Sequence, residues 1–337
     1  MALQMDAAVL DSTAHKPDDA GNSVQALREL MAANRLEPDK DREILIRDLR
    51  ITQSLYGPRT PHTFDTRPVS LAYEQEMPAC ALSEITPEIL RAAFADRGCL
   101  YVPNALDKPT VDTLRDAIEM AQNAYQTENP DPRWYSKPKI PTSRQSFDLD
   151  SARKFAHSSG GCLATDSPRA MFLICDMFER SGVRALAENY LGEAPVLSAS
   201  KFMLWRVSAG QEAGWHQDGR FLGEGMDIAS VNVWTALTDC GESAPGMELV
   251  LDYPNHYIMA ADDSAFNWSV SNSQVDEIRK RVPVVIPRFK AGDMLMFDQW
   301  LLHRTHRLPD MPHTRYAIES WFFAPSVFPL GRTALTA

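Results

Sequence analysis

The residues able to do chemistry gather in the second half of the chain. His216-Gln217-Asp218 forms an H-x-D triplet. With eight histidines in an aspartate-rich chain, chance alone supplies roughly 0.6 such triplets, so the triplet proves little by itself. Its setting says more. It follows the apolar run KFMLWRV and a glycine-containing turn, and on an extended chain residues two apart project from one face. Two donors on one face are what a metal ion needs; a surface His–Asp hydrogen bond is the plainer reading. A third donor must come from His303, His306 or His313. His303 closes the apolar run MLMFDQWLL, whereas His306 points the other way by the two-residue period and His313 lies in a proline-rich turn. His303 is therefore the expected third ligand. Two neutral imidazoles and one carboxylate suit ferrous iron and leave positions open, and zinc remains an alternative although no H-E-x-x-H is present.

Twelve residues after His303 comes Arg315, on a segment that would return beside it. Iron(II) with one carboxylate carries one positive charge, and a chelating 2-oxo dicarboxylate turns that into one negative charge. A buried guanidinium restores the balance, and its planar fork suits the distal carboxylate. An ordinary surface arginine is the competing reading.

H-x-D, a distal histidine after the G-D-x-x-x-F run Gly292–Phe297, and an arginine twelve residues beyond it together resemble the phytanoyl-CoA dioxygenase (PhyH) family. The resemblance covers roughly residues 85–325. It implies a mainly β fold with flanking helices around a double-stranded β-helix, the jelly-roll or cupin-like core. It also implies Fe(II) as cofactor with 2-oxoglutarate and O2 as co-substrates. Met203, Trp234 and Thr305 match positions beside 2-oxoglutarate in the family. The implied reaction oxidises an unactivated C–H of a small organic metabolite, with release of succinate and CO2. Because halogenases of this fold replace the carboxylate ligand by Gly or Ala, Asp218 points to a hydroxylase. The run Tyr253-Pro254-Asn255-His256 departs from the family's usual P-G-S-H turn.

The elements that must position these groups are legible in outline. From about residue 195 short apolar runs alternate with turn signals, the pattern of an antiparallel barrel or jelly roll. Helices come first. Residues 1–70 read as an extension with two short helices, one capped by Ser23 and one stopped by Gly57-Pro58. Residues 71–330 read as the oxygenase domain and 331–337 as a tail. Thr86-Pro87 should start a helix that Gly98 ends, and CLYVPNA should follow as a strand. Residues 128–160 are rich in Pro, Ser and basic side chains and read as a loop or lid. Its Arg133, Lys137, Lys139, Arg144, Arg153 and Lys154 could clamp an anionic substrate, and Gln217, Arg220, Lys137, Lys139 and Arg144 are the substrate-contact candidates.

Composition narrows the partners. A net charge of −11 and a pI near 5.2 argue against nucleic acid or an anionic membrane as the main partner and leave a small molecule. Five cysteines, an odd number without a C-x-x-C pair, predict free thiols in a reducing cytoplasm. No signal peptide or apolar run of about 18 residues is visible. A cupin-like isomerase or hydrolase, or a silent metal-binding homologue, is the alternative function.

Overall fold

The computed structural model describes residues 17–52, 69–138, 147–210, 213–222, 228–252, 256–264, 268–329 and 332–337. The extension supplies α1 (Pro17–Leu36) and α2 (Lys40–Thr52). Ser23 thus lies inside α1 and does not cap it; Gly57 and Pro58 lie outside the described residues. Next come the hairpin β1 (Ala72–Glu74) and β2 (Met77–Ala79), then α3 (Pro87–Arg97) and β3 (Cys99–Val102). The boundaries of α3 are as expected. Thr86 Oγ1 accepts from the Ile89 N–H at 3.3 Å, Pro87 opens the first turn, and Gly98 ends the helix at φ 74°. A Cβ at Gly98 would lie 2.8 Å from the Asp252 carbonyl oxygen, so a side chain is excluded there by space as well as by φ.

The long helix α4 (Lys108–Tyr125) is capped by Asp107 and buries Leu114, Ile118 and Ala121. The expected loop at 128–160 holds α5 (Phe147–Ser158). Leu149, Arg153 and Ala156 are buried along one side of it, a helical spacing that the basic and serine-rich composition conceals. Then follow β4 (Gly161–Leu163), α6 (Pro168–Ser181), α7 (Val183–Leu191), β5 (Val196–Ser198), β6 (Met203–Val207), β7 (Trp215–Gln217) and β8 (Ser230–Ala236). The chain ends with β9 (Gly246–Val250), β10 (Ser269–Val270), α8 (Asn272–Arg279), β11 (Val284–Val285), β12 (Met294–Phe297), β13 (Leu302–His306), β14 (Arg315–Phe323) and β15 (Ala334–Thr336).

Two sheets make the double-stranded β-helix. The larger runs β1-β2-β3-β12-β8-β14-β5-β15, with β6 paired to β14 and β4 to β6; the smaller runs β10-β7-β13-β9-β11. Among the described residues every strand pairing except β2–β3 is antiparallel. Strand β14 organises the large sheet, bonded along one edge to β8 and along the other to β6 and β5. One apolar core joins Met247 and Leu249 of the small sheet and Leu295 of the large one, which face each other between the sheets, to Val233 and Ile318 on the other face of the large sheet. The apolar run expected to be one strand ending at His303 is two. It breaks at a turn where Asp298 Oδ1 accepts from the Trp300 N–H at 2.8 Å, and β12 and β13 then join different sheets.

Helix α2 packs on α6 and β15, which ties the extension to the barrel. Glu43, fully buried on α2, accepts from Arg133 Nε and Arg169 Nη1 at 2.7 Å each and from Asn34. Arg50 Nη1 donates to the Thr336 carbonyl at 2.6 Å. The last described residues thus add a sheet strand, with β15 in register against β5. Among the described residues no helix is long and apolar enough to cross a membrane.

Candidate metal and co-substrate site

Strands β7 and β13 pair with His216 opposite His303, so both rings project from the same face of the small sheet. Asp218 follows one residue past β7, where the chain turns into a short 3-10 segment. The ligand atoms of the three residues lie within 4.8 Å of one another. Each imidazole is oriented by its backbone. His216 Nδ1 lies 3.0 Å from the Gly214 carbonyl and His303 Nδ1 lies 3.0 Å from that of Leu301. A carbonyl only accepts, so each Nδ1 carries the proton and each Nε2 keeps its lone pair. Burial pushes His216 down to about 3, helped by the neighbouring His303, and burial also lowers His303. Burial alone would raise Asp218; the Lys201 ammonium and the two imidazoles override it and hold the carboxyl at about 2. The result at neutral pH is two neutral nitrogen donors and one anionic oxygen donor, a set that could hold a divalent metal.

Arg315 begins β14. It is 3% exposed, its Nη1 donates to the Gly246 carbonyl at 2.9 Å, and its guanidinium lies 5.7 Å from the Trp234 ring centroid. Its Nε is buried with no partner, and no carboxylate of the described residues hydrogen-bonds the group. A buried guanidinium with no carboxylate in hydrogen-bonding contact is costly and calls for an anion. The other three expected co-substrate residues lie on interior faces with it. Met203 and Trp234 stand opposite Glu319 on neighbouring strands, and Glu319 shares the face of Arg315 by the two-residue period. Thr305 projects with His303 and sits opposite Met247, next to the glycine that receives Arg315.

The substrate-contact candidates fare differently. Gln217 points to the far side of β7, where it is fully buried. Its Nε2 donates to the carbonyls of His256 and Trp300, and its Oε1 accepts from the Ile258 N–H, so it braces loops. Arg220 reaches the Met259 sulfur at 3.5 Å. Lys137 is exposed, and Lys139 and Arg144 lie outside the described residues. Two of the six clamp residues are structural: Arg133 binds Glu43, and Arg153 grips the buried Asp166 with Nε and Nη2 at 2.7 and 2.8 Å. His306 faces away from His303, and His313 lies in the loop before β14, its backbone bonded to Ser243.

Three interior residues escaped the sequence reading. Asn232 Nδ2 donates to Asp218 Oδ2 at 2.7 Å, Lys201 Nζ lies 3.2 Å from Asp218 Oδ1, and Glu319 lies 3.8 Å from Lys201. Asn232 and Glu319 had a signal in the two-residue period that links them to Trp234 and Arg315. Lys201 had none.

This interior offers two imidazoles and a carboxylate that could hold a divalent metal, and a buried guanidinium that could pair with an anion. The chain belongs to the phytanoyl-CoA dioxygenase (PhyH) family, whose model matches residues 94–308, more than half its length. Membership makes it an oxidoreductase that uses Fe(II), with 2-oxoglutarate and O2 as co-substrates. No curated protein matches the chain in sequence. Among solved structures it is similar to the epimerase SnoN in complex with Fe3+, alpha ketoglutarate and nogalamycin RO, with 17% identity over 70% of this chain and 83% of that one (TM-score 0.44). It is also similar to EctD from S. alaskensis with 2-oxoglutarate and 5-hydroxyectoine, at 16% identity over 72% and 79% (TM-score 0.46). The alpha ketoglutarate dependent carbocyclase SnoK matches at 14% identity over 77% and 99% (TM-score 0.49).

Proposed function

We propose that the protein is a dioxygenase that hydroxylates, or otherwise oxidises, an unactivated C–H of a small organic metabolite, releasing succinate and CO2. His216, Asp218 and His303 hold the iron. Arg315 anchors the distal carboxylate of 2-oxoglutarate, with Trp234, Thr305 and Met203 shaping the rest of its berth. The observation that carries this reading is Arg315: a guanidinium buried against Trp234 with an unpartnered Nε, in the same interior as the three ligands. Iron bound there supplies O2 activation coupled to decarboxylation of 2-oxoglutarate. The chain's own task is to orient the donors and keep water out. The Nδ1 contacts fix both imidazoles, Asn232 fixes the carboxylate, and the buried walls exclude solvent. The carboxylate at Asp218 favours hydroxylation over halogenation, because no ligand position is vacated for a halide. Five free thiols support a reducing cytoplasm as the compartment. The test is anaerobic titration with Fe(II) and then 2-oxoglutarate, read as a weak visible charge-transfer band, followed by a screen of metabolite pools for succinate release. Absence of the band in a folded, iron-loaded protein would sink the reading.

A further inference from the structure

Lys201 is the interior charge that the reaction leaves without a task. It ends the short turn Ala199–Lys201 ahead of β6, and its side chain is 16% exposed. Its Nζ stands 3.2 Å from Asp218 Oδ1, 3.8 Å from Glu319 Oε1 and 4.1 Å from the Phe221 ring centroid. The oxygen it holds is the one turned toward the metal position, since Oδ1 lies 3.9 Å from His216 Nε2. The other oxygen is taken by Asn232 at 2.7 Å. Asp218 is therefore oriented without the lysine, and the ammonium occupies the oxygen that a metal needs. A divalent cation and an ammonium on one carboxylate oxygen repel strongly in a buried site. Glu319 offers the second berth. Its Oε2 accepts from Trp205 Nε1 at 3.0 Å, while Oε1 has the lysine at 3.8 Å, near enough for attraction and too long for a hydrogen bond. A flexible four-carbon stem with a rotatable ammonium can exchange one carboxylate for the other.

We propose that Lys201 is a positioning residue that gates metal loading: it neutralises Asp218 before the metal binds and passes its ion pair to Glu319 as the metal takes Oδ1. This rests on the iron reading of His216, Asp218 and His303. It also keeps the charge count level. The Lys201–Glu319 pair is neutral, so the balance among metal, Asp218, 2-oxoglutarate and Arg315 is undisturbed in the loaded state.

The test is the dissociation constant of Mn(II), and of Fe(II) under anaerobic conditions, measured calorimetrically on the metal-free full chain. Lys201→Met should bind metal about tenfold more tightly, because the competing cation is gone. Glu319→Gln should bind roughly fivefold more weakly, because the lysine then has nowhere else to go. The double variant should match Lys201→Met, since Glu319 acts only through the lysine. Lys201→Gln replaces the methionine variant if that one melts early. Weaker or unchanged binding in a folded Lys201 variant overturns the gate, as does a Glu319→Gln effect that persists in the double variant. Those outcomes leave the triad standing as long as His216→Ala abolishes binding; a wild-type chain that binds neither metal removes both readings.

Discussion

Two nitrogen lone pairs and one carboxylate oxygen face a common point because backbone carbonyls hold the far side of each imidazole. His216→Ala, Asp218→Ala and His303→Ala should therefore each abolish metal binding and turnover. The thermal unfolding of the metal-free chain should stay close to wild type, and calorimetry with succinate release checks both halves. Arg315 belongs to a different step. Arg315→Ala should leave the iron affinity nearly intact and weaken 2-oxoglutarate binding by roughly 2–5 kcal/mol, the loss of a charge-assisted contact in a buried site. The charge-transfer band titrated with 2-oxoglutarate measures it directly. Unchanged midpoints would move the anchor elsewhere. Arg304 is a poor substitute: its Nε and Nη2 both reach Glu248 Oε2, at 2.7 and 2.6 Å, and it lies over Trp215.

The helical extension is tied to the rest of the fold through α6 and β15. Glu43 is fully buried on α2 and faces the guanidinium groups of Arg133 and Arg169, so one carboxylate ties α2 both to the segment after α4 and to α6. Removing it leaves two arginines partly buried without their anion. Glu43→Ala should cost about 3 kcal/mol of unfolding free energy, read from the midpoint of a urea titration. A change within experimental error would show that α2 docks through its apolar contacts alone, such as Ile46 against Leu27, Met31 and Phe172.

One buried carboxyl gives the whole molecule a pH signature. Burial raises Asp298 from 3.8 to about 7, against the pull of backbone N–H groups at the turn between β12 and β13. Between about pH 4 and pH 7 the folded chain holds a proton that the unfolded chain has released, so this group's contribution to stability falls as pH rises through that window. Asp298→Asn keeps an acceptor for the Trp300 N–H and has no proton to lose. Its stability relative to wild type should improve by about 2 kcal/mol between pH 5 and pH 8, followed by urea unfolding at each pH. A flat difference would mean that water reaches the carboxylate at that turn.

Local chemistry was readable where one principle acts at short range. Thr86-Pro87 and Gly98 bound α3 because capping, a proline-compatible first turn and positive φ are properties of a few adjacent residues. His216, Asp218, His303 and Arg315 stand out in the sequence as candidates because their types and spacing limit the chemistry they can share, and the fold gathers the first three. The apolar run before His303 looks the same in sequence whether it makes one strand or two. Only the Asp298–Leu301 turn, which sends β13 into the other sheet, sets that histidine opposite His216. Gln217 lies between His216 and Asp218 in sequence and is sent to the opposite face by the pleat, while Lys201 and Glu319 are far apart in sequence and meet beside Asp218, with Lys201 Nζ reaching both carboxylates. Arg133 and Arg153 carry the same charge as any lid arginine, and what ties them down is the position of buried Glu43 and Asp166. Residue type and short-range spacing determine which groups can take part; which of them face one another follows from sheet pairing and burial between segments far apart in the chain.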